Sequence, residues 1–146
     1  MHAHIYSIDM RADGPFGSLE GERHALENAG KWDNAFLHQH LGKSAEIAST
    51  WDALELPKID LLFIDGDHSL EGITTDFSMW SKFLNPNGMI AIHDYDKARA
   101  FKDRDDPKDW PAVTEFVNGV FENGFENMKF EFAHVADSLI VLKWID

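Results

Sequence analysis

The stretch Ile59–His68 constrains the fold of this chain more than any other part of its sequence. It begins with the apolar run IDLLFI and ends with the letters DGDH. A continuous apolar run of this length predicts a strand that is buried on both faces of a sheet. Open α/β sheets bind their ligands just beyond the carboxyl ends of such strands. We therefore predict a functional site directly after this strand, at Asp65, Asp67 and His68.

A second predicted strand, Met89–Ile92, ends in a similar way, in His93 and Asp94. Between the two strands, apolar residues recur at three- and four-residue intervals over Ser69–Leu84, which predicts an amphipathic helix. The letters NPNG at 85–88 interrupt that helix. A strand, a helix and a strand of these lengths form a βαβ unit, so both strands are expected to be parallel. Their polar ends then lie at the same edge of the sheet.

Composition and charge limit the functions that the chain can have. Its 146 residues predict one domain, residues 1–146, and the absence of cysteine excludes disulfides and thiolate metal sites. The formal net charge of −13 argues against a nucleic-acid partner, because contact with a phosphate backbone requires a basic face. The same charge suits a cation or a positively charged cofactor. No apolar run is long enough for a membrane span, so we expect a cytoplasmic protein with no membrane partner.

The N-terminal elements are predicted from shorter signals. Strands are expected at His2–Asp9 and Ala35–Gln39, with a helix between them at Ser18–Ala29. Ser44 is expected to cap a short helix that reaches Trp51.

The C-terminal third begins with a highly charged segment, Tyr95–Asp109, which favours either a solvated loop or a lid over the adjacent strand ends. A helix is predicted over Trp110–Gly124. Met128–Phe132 alternates apolar and charged residues, which predicts an edge strand. Leu139–Leu142 is apolar throughout and is predicted to lie inside the sheet, antiparallel to that edge strand. The apolar face of the helix comprises Val113, Phe116, Val117, Val120 and Phe121.

Five polar residues converge at one sheet edge if the βαβ unit forms: Asp65, Asp67, His68, His93 and Asp94. Three carboxylates near one point repel one another, so a divalent cation or a retained proton is needed to hold them together. Carboxylate oxygens with an imidazole suit Mg²⁺ or Mn²⁺ better than Zn²⁺. An acid at the end of a strand often only caps the next helix, and this is an equal alternative for Asp67. A metal-dependent phosphoesterase is a competing class, since acid and histidine pairs also build two-metal sites.

The segment Ile59–Tyr95 resembles the corresponding part of class I SAM-dependent methyltransferases, in the group of small-molecule O-methyltransferases with DGDH and HD signatures. The resemblance implies an α/β fold with a Rossmann-like, mostly parallel sheet. It also implies helices on both faces of the sheet and an antiparallel C-terminal strand pair, with the last strand inserted beside the second strand of the βαβ unit.

The resemblance also implies roles for individual residues. Asp65, His93 and Asp94 correspond to the metal position of the members that use Mg²⁺ or Mn²⁺. Asp67 and His68 correspond to candidate bases near the hydroxyl group of a small-molecule methyl acceptor. The cofactor would be S-adenosylmethionine (SAM), with its ribose near Asp9 and Met10, its adenine near the turn that reaches Ser44, and Asp65 as a further contact.

The first strand and the glycine-rich turn of such enzymes have no counterpart in this sequence. We therefore expect a fragment of a longer gene, weak or no SAM binding by the isolated chain, and a homo-oligomer that compensates for the missing strand. A non-catalytic domain that keeps the fold is the further alternative.

Overall fold

The computed structural model describes residues 3–10, 35–95 and 111–145. They belong to two compact units, residues 1–55 and residues 56–146, and each unit is described by itself. The helix predicted at Ser18–Ala29 and the charged segment that follows Tyr95 lie outside the described residues.

The first unit contains a parallel pair of strands and a short helix. Strand β1 (Ala3–Asp9) pairs in parallel with β2 (Ala35–Leu41), and helix α1 (Ser44–Thr50) follows β2. The prediction that Ser44 caps α1 is wrong by one residue. Lys43 has the extended backbone of an N-cap and makes no side-chain capping bond, whereas Ser44 already belongs to the first helical turn.

The second unit contains a four-stranded sheet in the order β3-β4-β6-β5. Its strands are β3 (Ile59–Ile64), β4 (Leu84–Ile92), β5 (Lys129–Ala136) and β6 (Leu139–Ile145). The pair β3–β4 is parallel, and β6 runs antiparallel to both β4 and β5. These pairings confirm the βαβ unit, the position of β5 at the end of the sheet and the insertion of the last strand beside β4.

Two helices of the second unit connect these strands, α2 (Leu70–Ser81) and α3 (Pro111–Asn123). Helix α2 ends three residues earlier than predicted, and β4 begins at Leu84 and not at Met89. The reason is that Leu84 pairs with Ile59 as the first residue of β4. An apolar residue at position 84 fits the last turn of a helix and the first residue of a buried strand equally well. The sequence pattern therefore does not distinguish the helix from the strand at this position.

The core of the second unit lies between the two helices and one face of the sheet. Phe77 of α2 is fully buried, and its ring meets those of Phe116, Phe125 and Phe130 edge-on at centroid distances of 5.3, 5.0 and 5.4 Å. Edge-to-face contacts of this kind stabilise a core beyond the area that they bury. The buried strand residues that complete this core are Ile64, Leu84, Ile90, Ile92, Ile140 and Leu142.

The prediction that β3 is buried on both faces is wrong. Leu61 and Phe63 are each 57% exposed, whereas Ile64, which points to the opposite face, is 6% exposed. Helices α2 and α3 contribute their buried residues to the core on the Ile64 side of the sheet. Phe121 is also exposed, although it was predicted to lie on the apolar face of its helix. In the parts of the chain that the structure describes, no helix is long and apolar enough to cross a membrane.

Candidate functional site

The letters DGDH follow β3 directly, and His93 and Asp94 follow β4. The amide of His93 donates a hydrogen bond of 3.0 Å to the carbonyl of Ile64, so the parallel pairing continues past the end of β4. The two polar segments therefore lie side by side at the carboxyl edge of the sheet. This confirms the expectation that the βαβ unit brings them to one edge.

Three residues of these segments form a compact cluster. Asp65, His68 and Asp94 each offer one ligand atom, and these atoms all lie within 4.8 Å of one another. The His68 Nε2 atom is 2.5 Å from Asp94 Oδ2 and 3.8 Å from Asp65 Oδ1. The side chain of Asp65 is 45% exposed and those of His68 and Asp94 are 23% exposed, so the cluster is open to solvent on one side.

His93 adds a fourth donor to this cluster. Its Nδ1 atom lies 3.4 Å from Asp65 Oδ1 and 3.2 Å from Asp94 Oδ2. Nδ1 is buried and makes no hydrogen bond of acceptable geometry with the described residues. A buried polar atom without a hydrogen bond is costly, by about 1–3 kcal/mol. An imidazole nitrogen that faces two carboxylates without bonding to either is in the arrangement expected of ligands that share a cation.

The donor set of this cluster, which we call the DGDH–HD cluster, fits a divalent metal ion. It comprises two carboxylates and two imidazoles, from Asp65, His68, His93 and Asp94. Such a mixture of oxygen and nitrogen donors suits Mn²⁺ at least as well as Mg²⁺, which prefers oxygen alone. The predicted metal ligands Asp65, His93 and Asp94 all belong to the cluster, together with His68, which was assigned to catalysis. Both assignments stay predictions.

The backbone of Asp94 adopts the left-handed conformation, with φ = 57°. This conformation is unfavourable for most residues, and aspartate and asparagine tolerate it best. Hydrogen bonds hold the chain on both sides, because the amide of Tyr95 donates to the carbonyl of Ser138 at 2.9 Å and the amide of His93 is bonded to β3. The turn directs the Asp94 carboxylate towards His68.

Asp67 has a structural role at the start of α2. Its Oδ1 atom accepts a hydrogen bond of 2.9 Å from the amide of Ser69, and the Ser69 hydroxyl in turn accepts one of 3.0 Å from the amide of Gly72. The capping alternative for Asp67 is therefore wrong, because Ser69 is the N-cap of α2 and Asp67 only binds the amide of that residue, while the role of Asp67 as a base stays a prediction. A Cβ atom on Gly72 would lie 2.5 Å from Asp67 Cβ and Cγ, so this position tolerates only glycine without a shift.

Ser138 and Tyr95 belong to the surroundings of the site and were not found from the sequence. The Ser138 hydroxyl lies 3.2 Å from His93 Nε2, so it can fix the orientation of that ring. Tyr95 is buried, and its hydroxyl donates to Asn118 Oδ1 at 3.1 Å. Burial raises the pKa of the Tyr95 hydroxyl above its ordinary range. Ser138 lies 45 residues from His93, in the β5–β6 turn, and no local pattern connects the two.

The residues predicted to bind SAM divide between the two units. Asp9, the last residue of β1, accepts a hydrogen bond of 3.0 Å from the Gly42 amide through its carbonyl, which joins the carboxyl ends of β1 and β2. Met10 is exposed and Ser44 begins α1. These three residues belong to the first unit and Asp65 belongs to the second. Their contacts with a cofactor stay predictions.

The fold defines the class of protein first. A parallel strand pair with polar residues at its carboxyl edge, followed by an antiparallel strand pair, places the chain among Rossmann-like α/β proteins. Residues 1–95 match the model of a methyltransferase-domain family, and the chain belongs to that family.

Solved structures of similar fold agree with this assignment. The O-methyltransferase TomG from Streptomyces achromogenes, solved with SAM, gives a TM-score of 0.67 at 17% identity over 97% of this chain and 61% of that one. The methyltransferase MycE of mycinamycin biosynthesis was solved with Mg, SAH and mycinamycin VI. It gives a TM-score of 0.62 at 14% identity over 98% of this chain and 45% of the MycE chain. At these identities, the likeness concerns the fold.

An uncharacterized protein of Acanthamoeba polyphaga mimivirus is 36% identical over 73 residues, which are 50% of this chain and 31% of the viral protein. The chain therefore spans about a third of this relative and between 45% and 61% of the two solved structures.

Proposed function

We propose that this chain carries the metal-binding and acceptor-binding part of a SAM-dependent O-methyltransferase whose acceptor is a small-molecule hydroxyl group. The observation that carries the proposal is the DGDH–HD cluster at the carboxyl edge of β3 and β4. Membership of the methyltransferase-domain family supports the transfer chemistry. The structural likeness to an enzyme solved with Mg and SAH supports a divalent cation as a partner of the cluster.

The electrostatics of the cluster favour a cation. The carboxylates of Asp65 and Asp94 both lie within 3.4 Å of His93 Nδ1. Two negative charges so close together repel each other unless a positive charge lies between them. A bound Mg²⁺ or Mn²⁺ would supply that charge, and it would also make a coordinated hydroxyl group more acidic and orient it towards the methyl donor.

The residues of the chain would position and deprotonate the acceptor. In this proposal Asp65, His93 and Asp94 hold the cation, and the contact of 2.5 Å between Asp94 and His68 Nε2 leaves the other nitrogen of the His68 ring, Nδ1, to accept the hydroxyl proton. Asp67 keeps the DGDH loop fixed against the first turn of α2 through its bond to Ser69. Most of the rate acceleration in such a site would come from alignment of the hydroxyl oxygen with the sulfonium methyl group. Family membership favours this hypothesis over the phosphoesterase alternative.

The test of the cation site is Mn²⁺ titration of the purified chain by calorimetry and electron paramagnetic resonance. Wild type is expected to bind one Mn²⁺. Asp65→Asn and Asp94→Asn are expected to weaken binding by about tenfold or more, since each removes a charged ligand. Asp52→Asn, on the surface of the other unit, is the control for loss of one negative charge. Equal affinities for all four proteins would contradict the assignment.

SAM binding is tested separately by saturation-transfer NMR, which detects weak ligands. Asp9→Asn is expected to reduce the SAM signal, and Asp52→Asn is expected to leave it unchanged. A signal that is absent from wild type would refute the cofactor part of the proposal for this chain. The cation part would then depend on the Mn²⁺ titration alone.

We also propose that the chain self-associates, as expected from the sequence. Leu61 and Phe63 of β3 support this, because they expose apolar surface at the end of the described sheet. Light scattering that gives the mass of a single chain at micromolar concentration would contradict it.

A further inference from the structure

One face of the β1–β2 pair carries a row of aromatic and imidazole rings. In the parallel register, His4 lies opposite Phe36, and Tyr6 lies opposite His38, so all four side chains are on the same face. The Tyr6 ring stacks on His38 at a centroid distance of 4.5 Å and meets Trp51 edge-on at 5.1 Å. The stacking on Tyr6, which Trp51 supports in turn, holds the plane of the His38 ring.

Two of these imidazoles approach each other through their nitrogen atoms. His4 Nδ1 and His38 Nε2 are 3.0 Å apart, and the ring planes are 8° from parallel with centroids 5.3 Å apart. A metal–imidazole nitrogen bond is about 2.0–2.1 Å long, so two ligands on one ion have nitrogen atoms roughly 2.9–3.4 Å apart for bond angles between 90° and 109°. The observed separation falls in this range.

We propose that His4 and His38 form a second metal site, one that takes a nitrogen-preferring transition-metal ion such as Zn²⁺, Ni²⁺ or Cu²⁺. Neutral imidazoles are good ligands for these ions and poor ligands for Mg²⁺. His4 is exposed, which leaves the remaining coordination positions open to water. The formal net charge of −13 raises the local concentration of cations around the chain.

The metal-free pair is held by a single N–H···N hydrogen bond, in which one ring is the donor. Metal binding would replace this bond, because both facing nitrogens must then present lone pairs. The N–H proton would move to the other nitrogen of the same ring, so neither imidazole changes its charge. Since Tyr6 stacks on His38 and Trp51 packs against Tyr6 in turn, little further ordering is required.

The test is Ni²⁺ titration of the full chain with His68→Gln and His93→Gln as the common background, so that the imidazoles of the DGDH–HD cluster do not contribute. We expect one bound Ni²⁺, and a loss of affinity of at least tenfold when either His4→Gln or His38→Gln is added. His134→Gln on β5 is the control, since that histidine belongs to the other unit. Absence of Ni²⁺ binding, or equal losses for all three variants, would overturn the proposal.

A second measurement identifies the ligands directly. Electron paramagnetic resonance of bound Cu²⁺ in the same background should show coupling to two imidazole nitrogens, and to one after His4→Gln. Far-ultraviolet circular dichroism should show that the variants remain folded. If coupling to two nitrogens persists after His4→Gln, other residues hold the ion and the proposal fails.

Discussion

Replacement of Gly72 by alanine tests whether the DGDH loop and α2 pack as tightly as the structure indicates. Within a helix, alanine is ordinarily more stable than glycine by about 1 kcal/mol. Helix propensity alone therefore predicts that Gly72→Ala stabilises the protein. The packing around Gly72 predicts the opposite sign.

The magnitude follows from the contacts that a methyl group would make. A Cβ atom on Gly72 would lie 2.5 Å from two side-chain carbons of Asp67 and 2.6 Å from its carbonyl oxygen. Comfortable contacts are about 3.5–4.0 Å, so the loop has to move by roughly 1 Å. Overpacking of this kind costs about 1–3 kcal/mol, which exceeds the gain in helix propensity. After subtraction of the gain of about 1 kcal/mol in helix propensity, we expect a net loss of up to about 2 kcal/mol.

The assay is urea unfolding followed by circular dichroism, with Gly119→Ala in α3 as the matched control. No atom lies within 4 Å of a Cβ atom placed on Gly119, so this substitution should stabilise the protein by about 0.5–1 kcal/mol. Because the shifted loop also carries Asp65, Gly72→Ala should weaken Mn²⁺ binding, whereas Gly119→Ala should not. Stabilisation by both substitutions would refute the close contact between Asp67 and Gly72.

Two further predictions concern residues that the sequence did not indicate. Burial raises the pKa of Tyr95, so above pH 10 the unfolded chain loses this proton first and stability falls as the pH rises. Tyr95→Phe should remove this contribution and cost about 1 kcal/mol at neutral pH through the lost bond to Asn118, as measured by urea unfolding at pH 8 and pH 11. Ser138→Ala should lower Mn²⁺ affinity by about tenfold, since His93 loses its orienting partner. Ser49→Ala, which removes an exposed hydroxyl from α1, is the control, and equal affinities for the two serine variants would contradict the role of Ser138.

The βαβ unit could be predicted because its signals are local. The apolar spacing of α2 and the acids that follow β3 and β4 are read from short windows, and the parallel arrangement follows from the connection length. Once both strands are known to be parallel, the DGDH and HD segments must lie at the same edge of the sheet, whatever their side chains do. The order of the last two strands came from the family resemblance.

The errors have a common physical origin. Leu61 and Phe63 were predicted to be buried because they are apolar, but the sequence does not state which face of a sheet the helices cover. Ser138 reaches His93 only because the β5–β6 hairpin places its turn beside the end of β4, and that register depends on the whole sheet. Properties that depend on neighbours distant in sequence are not visible in local patterns.

The backbone around Asp94 determines which of the two acidic ligands should matter more for cation affinity. Its left-handed conformation is held by hydrogen bonds on both sides, so the fold positions its carboxylate before any ion binds. Asp65 is more exposed, at 45% against 23%, and must lose more side-chain freedom and more hydration on binding. We therefore expect Asp94→Asn to reduce Mn²⁺ affinity more than Asp65→Asn does. Asparagine is the appropriate replacement because it tolerates the left-handed backbone, whereas alanine would add a folding defect of about 1 kcal/mol to the loss of the ligand. A larger effect at Asp65 would mean that the hydrogen-bonded turn at Asp94 does not preorganise the site.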